Sequence, residues 1–317
     1  MGYYIGIDLG GMSAKAGILN KEGVVLHFDR CETEAKDSPE KTAENLANLA
    51  EKIIKHIGVS KEEIIAIGIG SPGIIDSQNG TVVRWSNFGW ENVPLAELIQ
   101  TLTGIPVYVT NDANAAALGE AQFGSGKNYR NSVMLTLGTG VGGGIIIEGK
   151  LEEGFCSAGG ELGHMTIHKR GIRCTCGRKG CFECYASATA LKRETRKAMK
   201  RDPKSLMWKL AKSLDEISGR TAFLAADKGD ETAKEVVKNY IADLGDGIVN
   251  IVNLLRPQVV ILGGGVSNEG DNLIIPLKKY VEQNVYAPTE YVPLEIVQAT
   301  LGNDAGIYGA AAYAKNR

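Results

Sequence analysis

The sequence predicts an α/β protein built from two halves that begin alike. Residues 3–9 form a β-branched apolar run that breaks at Gly10-Gly11 and resumes as a strand at 16–19. Residues 132–137 and 143–147 repeat that pattern around Gly138-Thr139-Gly140. A third glycine-rich turn, Gly263-Gly264-Gly265, again follows an apolar strand. Tight turns use glycine for their own reasons, so one such turn says little. Three in one chain, two of them in duplicated hairpins, point to one nucleotide clasped between two halves.

Each element follows from its local pattern. The opening strand, the strand at 16–19 and a third at 24–28, joined by the turn Asn20-Lys21-Glu22-Gly23, make a β-meander. Asp8 ends the first strand and is placed to hold a magnesium ion through water. Gly10 and Gly11 offer bare backbone N–H groups to an anion. Lys15 suits a phosphate contact and a solvated surface lysine equally well. Residues 39–57 form an amphipathic helix, capped by Ser38, opened by Pro39, striped by Leu46, Leu49, Ile53 and Ile57 and ended by Gly58. A strand at 64–69 breaks at Gly70-Ser71-Pro72-Gly73, and a short strand and an aromatic loop from Trp85 to Trp90 follow. After a helix at 95–103, a buried strand at 107–110 stops at Asn111-Asp112 and an Ala-rich helix covers 113–123. Residues 186–228 read as helical with a break at Arg201-Asp202-Pro203. A long helix at 232–255 carries Gly245 and Gly247 on a closely packed face. A buried strand at 258–262, a helix at 271–285, a strand at 294–298 and an Ala/Gly helix at 305–314 complete the chain.

Composition removes several classes of function. The 317 residues suffice for two cored domains, and a net charge of −2 gives no electrostatic case for nucleic acid or an anionic membrane. No apolar run approaches a membrane span, and Asp8 interrupts the only early apolar stretch, so no signal peptide is expected. The six cysteines fit a reducing cytoplasm. Glycine is the anomaly, with 40 residues clustered at the ends of apolar runs, a sign of backbone brought close to a ligand.

The densest chemistry lies between Glu161 and Glu183. Cys174, Cys176 and Cys181 fall at C-x-C-x4-C, and His164 precedes them. Three thiols and an imidazole are the ligand set of a closed tetrahedral zinc site, and Gly177 and Gly180 let the backbone turn tightly enough to gather them. Three buried reduced cysteines are the plainer alternative, and a disulfide between Cys174 and Cys176 is disfavoured by their closeness. Glu161 and Glu183 flank the ligands and stay available to a polyhydroxylated partner. Thr139, Gly140, Gly264 and Gly265 are the nucleotide contacts that the second and third turns offer. These turns spell neither a dinucleotide fingerprint, because Gly10-Gly11 leads into a strand, nor a P-loop, because its lysine and Ser/Thr are missing. Asp112, at a strand end and a helix start, fits two roles: an N-cap, or a general base that takes a proton from an attacking hydroxyl.

Together, Asp8-Leu9-Gly10-Gly11, Leu137-Gly138-Thr139-Gly140, Glu161-Leu162-Gly163-His164 and the Cys174–Glu183 motif resemble the ROK family of sugar kinases and repressors, over the whole chain. The resemblance implies an actin-like (ribonuclease H-like) ATPase fold with two domains flanking a cleft: residues 1–117 with 305–317, and residues 118–304. It implies ATP with magnesium, and Asp112 as the base acting on a hexose 6-hydroxyl. Asn111, Glu161, His164 and Glu183 would hydrogen-bond the other hydroxyls, with Gly73 and Asn87 lining the sugar pocket. His164 would then serve twice, one ring nitrogen on structural zinc and the other on sugar. The implied activity is glucose to glucose 6-phosphate, in a cytoplasmic dimer or tetramer. The alternatives are a kinase for N-acetylmannosamine, N-acetylglucosamine or fructose, and a sugar-sensing regulator. Against the regulator, this chain begins directly in the first phosphate strand, leaving no room for the repressors' N-terminal helix-turn-helix. Met12 departs from the family's usual threonine, and Cys184 is an additional cysteine without a role.

Overall fold

The computed structural model describes residues 2–36 and 38–317. In chain order, a meander of β1 (Tyr3–Leu9), β2 (Ser13–Asn20) and β3 (Val25–Glu32) is followed by α1 (Pro39–Ile57) and β4 (Ile64–Ser71). A small sheet of β5 (Ile74–Asp76), β6 (Thr81–Trp85) and β7 (Trp90–Val93) precedes α2 (Leu95–Thr103), β8 (Val107–Asn111) and α3 (Asp112–Phe123). The pattern restarts with β9 (Ser132–Leu137), β10 (Val141–Ile147) and β11 (Lys150–Leu151). Helices α4 (Glu183–Ala186), α5 (Ala188–Arg201), α6 (Met207–Leu210), α7 (Thr221–Asp227) and α8 (Glu231–Leu255) follow. The chain ends with β12 (Val259–Gly263), α9 (Asp271–Asn284), β13 (Glu295–Gln298) and α10 (Ala305–Lys315).

The two five-stranded sheets have orders β3-β2-β1-β4-β8 and β11-β10-β9-β12-β13. Numbered from its own start, each reads 3-2-1-4-5, so the repeated hairpin marks a repeated topology. In the first sheet β1–β2 and β2–β3 pair antiparallel because short turns join them. β1–β4 and β4–β8 pair parallel, since α1 and then α2 supply the crossovers that parallel pairing needs.

Two compact units emerge: Met1–Ser132 with Gly144–Gly160 and Thr300–Arg317, and Val133–Gly143 with Glu161–Ala299. Helix α3 packs along α10 and lies wholly in the first unit, whereas the expected boundary at residue 117 falls inside it.

In the first unit β1 alternates faces at the strand period. Ile5, Ile7 and Leu9 join Leu46, Leu49 and Ile53 of α1 in one core. Tyr4, on the other face, joins Ile307, Ala311 and Ala314 of α10. A Cβ on Gly6 would lie 2.0 Å from the Ile307 carbonyl oxygen, and one on Gly68 only 1.8 Å from that of Ala310, so α10 meets β1 and β4 backbone to backbone.

The capping expected of α1 is present: Ser38 Oγ accepts from the Lys41 N–H at 3.0 Å and Gly58 closes the helix in the left-handed region. Two expectations need correction. The aromatic loop is a hairpin of β6 and β7 whose Trp85 and Trp90 are buried at 5.1 Å between ring centroids. Residues 186–228 are three helices with an irregular stretch between α6 and α7. There the Lys212 and Ser218 N–H groups go to Glu216 and Thr221 side chains, so polar side chains outcompete helical carbonyls. Among the described residues no helix is long and apolar enough to cross a membrane.

Candidate functional site

In the first unit the site grows from the ends of β1 and β8. Asn111 Oδ1 accepts from the N–H groups of Ala113 (2.9 Å) and Asn114 (3.3 Å), so Asn111 caps α3. The capping role weighed for Asp112 therefore belongs to its neighbour. Asp112 is the first residue of α3, half-buried, with Oδ1 accepting from the Ala113 N–H at 2.8 Å. Burial raises its pKa. Asp8 is pushed up to about 6, first by burial and then by the nearby charge of Asp112, with Lys15 opposing and Asp304 adding to the shift. Lys15 sits opposite Asp8 across the β1–β2 pair and bridges Asp304 at 3.8 Å, both side chains near half-exposed. Two partly buried carboxylates, one of them further raised in pKa by the other's charge, with one screened lysine nearby, form an oxygen donor set suited to a hard divalent cation such as magnesium.

Around this pair the expected contacts are placed as follows. The Gly10 N–H, expected to be bare, is instead engaged by the Ser13 carbonyl at 3.1 Å, because the turn closes its own hairpin. Gly11 leaves room for the Phe88 ring, 2.9 Å from where a Cβ would stand. The Met12 side chain is 89% exposed, and its carbonyl accepts from the Thr33 N–H at 3.1 Å. Asn111 Nδ2 donates to the Gly73 carbonyl at 3.3 Å, joining two expected sugar-pocket residues. Gly73 has φ of +99°, and a Cβ there would stand 2.3 Å from the Arg84 carbonyl oxygen, so the position requires glycine. Asn87 is exposed in the turn between β6 and β7.

One residue that sequence reasoning missed is Glu120 on α3, fully buried. Its carboxylate accepts from the N–H groups of Leu301 (2.6 Å) and Ser125 (2.9 Å), holding the turn that leads into α10. Nothing local distinguishes it from a solvated helix glutamate, because one partner lies far along the chain.

The second unit brings together the metal-type cluster and two glycine turns. The ligand atoms of His164, Cys174, Cys176 and Cys181 all lie within 4.8 Å of one another. Cys176 Sγ is 3.6 Å from Cys181 Sγ, and Cys174 Sγ is 3.7 Å from His164 Nδ1. Tetrahedral zinc with ~2.3 Å bonds to sulfur separates its ligand sulfurs by about 3.8 Å, so the cluster has the span of one such ion. Gly177 and Gly180 both have positive φ. Phe182, fully buried, anchors the loop against α8 where Gly247 leaves space for its ring. The His168–Asp243 pair (2.7 Å) and the Ile172 N–H to Tyr185 hydroxyl bond (2.7 Å) brace the loop's other flank.

Burial and the Glu183 carboxylate push the Cys174 thiol well above its usual range, and Cys174 Sγ donates to Glu183 Oε1 at 3.0 Å. The other Glu183 oxygen faces Gly140, where a Cβ would stand 2.6 Å from it. His164 Nε2 has no hydrogen-bond partner among the described residues, and Glu161 is exposed. The turn holding Thr139 and Gly140 docks on α5, with the Ala188 N–H donating to the Gly138 carbonyl at 2.8 Å and Thr189 Oγ1 to that of Thr139 at 2.7 Å. Gly264 backs onto Leu137, 2.7 Å from where its Cβ would be, so the two glycine turns adjoin, and Gly265 opens to solvent.

Two 3-2-1-4-5 sheets with glycine turns at their strand ends define an actin-like ATPase fold. The chain belongs to the ROK family, whose family model matches residues 4–317. It is 39% identical over 316 residues to the glucokinase of Thermotoga maritima, covering 99% of this chain and 97% of that one. To the glucokinase of Halalkalibacterium halodurans it is 38% identical over 312 residues, covering 97% and 93%. Among solved structures, it is similar to a ROK family glucokinase from Streptomyces griseus in complex with glucose and AMPPNP, with a TM-score of 0.81, 33% identity and full coverage of both chains.

The raised pKa of Asp8 makes a stability prediction. A carboxyl near 6 in the native state and 3.8 when unfolded favours folding while it is protonated, and that contribution is lost as pH rises through about 6. At pH 8 without divalent cations, ionised Asp8 costs on the order of 2–3 kcal/mol. Asp8→Asn is expected to raise the melting temperature at pH 8 in a chelator by a few degrees and to give no such gain at pH 4. A lower melting temperature for the variant at pH 8 contradicts the assignment.

Proposed function

We propose that the protein phosphorylates a hexose at its 6-hydroxyl with ATP, converting glucose to glucose 6-phosphate. The observation that carries this reading is Asp112: a carboxylate at a strand end, released from capping by Asn111 and set beside a second partly buried carboxylate. The similarity to two glucokinases and to a structure holding glucose and AMPPNP supports it independently.

In this reading Asp112 accepts the proton of the 6-hydroxyl as that oxygen attacks the γ-phosphate. Little basicity is demanded, because the transition state is loose and catalysis is mostly positioning. A carboxylate whose pKa is raised by burial is also a stronger base once ionised. Asp8 would hold magnesium through water, and the ion, when bound, neutralises charge on the β- and γ-phosphates. Gly10, Gly11 and Lys15 would contact the phosphates from the first unit, and Thr139, Gly140, Gly264 and Gly265 the nucleotide from the second.

Asn111, Glu161, His164 and Glu183 are assigned to the remaining sugar hydroxyls, with Gly73 and Asn87 beside them. His164, Cys174, Cys176 and Cys181 would hold zinc, which fixes the imidazole through Nδ1 and leaves Nε2 for a hydroxyl. Metal binding also acts on Glu183. The Cys174 thiol now donates to it at 3.0 Å, and a metal-bound thiolate has no proton to give. Glu183 then needs another donor, which a sugar hydroxyl provides. A site that hydrogen-bonds particular hydroxyls rejects sugars lacking them far more strongly than an apolar pocket would. Metal-binding thiolates and ATP both suit a cytoplasmic setting. A homo-oligomer is the expected assembly, and Leu254, Tyr286 and Tyr291 are among the exposed large apolar side chains.

Asp112→Asn is expected to lower kcat by about 10²–10⁴-fold while calorimetric glucose affinity survives; wild-type turnover in that variant ends the base assignment. The wild-type protein should carry about one zinc per chain, and Cys176→Ser should lose metal and glucose affinity together. Normal glucose binding by a metal-free variant would remove the orienting role of His164.

A further inference from the structure

Glu153 is a carboxylate that the mechanism leaves unused, yet its side chain is only 13% exposed and four donors converge on it. Oε1 accepts from Thr110 Oγ1 at 2.8 Å. Oε2 accepts from Ser77 Oγ (3.1 Å), the Tyr313 hydroxyl (3.0 Å) and Arg317 Nη2 (3.3 Å). Thr110, Ser77 and Tyr313 are buried, and the Arg317 guanidinium also bonds the Tyr313 hydroxyl and lies over that ring at 4.6 Å. Both carboxylate oxygens are thus engaged, by one cation and three hydroxyls.

What makes this cluster more than a structural tie is where its donors sit. Thr110 is the residue of β8 immediately before Asn111 and Asp112. Val109 points into the core shared with α1, so Thr110 faces the opposite side of the strand, where Glu153 receives it. Ser77 carries the network onward, its Oγ 2.5 Å from that of Ser157 and its N–H donating to Ser157 Oγ at 3.3 Å. Cys156 and Ser157 both hold positive φ, +53° and +55°, conformations that side-chain-bearing residues adopt only when held there. That pinned segment runs directly into Glu161.

We infer that Glu153 is a positioning residue that sets the strand end bearing Asp112 and anchors the segment leading to Glu161. The inference rests on the reading of Asp112 as the base. An amide in place of the carboxylate has one acceptor oxygen instead of two, so Glu153→Gln leaves some of the four donors unpaired without changing volume.

The test compares Glu153→Gln, Thr110→Val and Thr110→Ser with wild type by steady-state kinetics, glucose calorimetry and amide hydrogen exchange of the peptide covering residues 107–114. Thr110→Val, which removes only the donor to Glu153, is expected to lower kcat per folded molecule roughly 10- to 100-fold, leave glucose affinity within about threefold and speed exchange at 107–114. Thr110→Ser restores most of kcat. Glu153→Gln lowers kcat similarly and raises the KM for glucose as well, leaving the KM for ATP unchanged. Variants that melt earlier but keep wild-type kcat per folded molecule and wild-type exchange at 107–114 overturn the inference. Faster exchange at 107–114 alongside a fully active Asp112→Asn protein would instead overturn the base assignment and leave the strand-end positioning standing.

Discussion

Helix α10 meets β1 and β4 backbone to backbone at Gly6 and Gly68, and the carboxylate pair depends on that close approach. Gly6 and Gly68 admit the carbonyls of Ile307 and Ala310. One turn earlier in the same helix, Gly306 leaves room for the Asp8 carboxyl, 2.9 Å from where a Cβ would be. On the other side Gly309 admits the Ala115 carbonyl, so α3, which begins with Asp112, is located by α10 too. One helix of small residues thus fixes both the strand that carries Asp8 and the helix that Asp112 opens. Larger side chains would push these backbones apart, and an interior packed this closely passes such displacements on to the carboxylates.

Electrostatic tension is the consequence. Burial disfavours the charge of both Asp8 and Asp112, and the charge of Asp112 disfavours that of Asp8 further, which is poor for stability and suited to a site that takes a cation and phosphate. The thiol cluster is unsatisfied in a different way. Two buried cysteines, one of them donating to a glutamate, sit with the exposed Cys176 and with His164 at the span of a tetrahedral ion. Both arrangements suit groups gathered for a ligand, because holding them together costs stability.

Much of this was legible in the sequence. The duplicated Gly-rich hairpins announced the duplicated sheet order because hairpin turns are local and short. The α1 caps and stripe were readable for the same reason. The C-x-C-x4-C spacing gathered its ligands within one segment, so the metal-type cluster was visible before any fold was known. Which of Asn111 and Asp112 caps α3 was not legible, since both side chains can do it and one backbone torsion decides. The extent of helix in 186–228 was overread, because Glu216 and Thr221 side chains satisfy backbone groups that a periodicity argument assigns to helix. Glu153 and Glu120 escaped entirely. Their donors come from residues 77, 110, 313 and 317 in one case and from 300 and 301, besides the nearby Ser125, in the other, and no local pattern separates such a glutamate from a solvated one.

The proposed function requires that Asp112 and the thiolate-braced His164 act on the same bound sugar. A crystal structure of the zinc-loaded protein with glucose tests it most directly. The 6-hydroxyl oxygen is expected at about 2.6–3.2 Å from an Asp112 carboxylate oxygen, with another hydroxyl of the same glucose on His164 Nε2. Glucose bound with its 6-hydroxyl turned away from Asp112, or with no contact to His164, would contradict it.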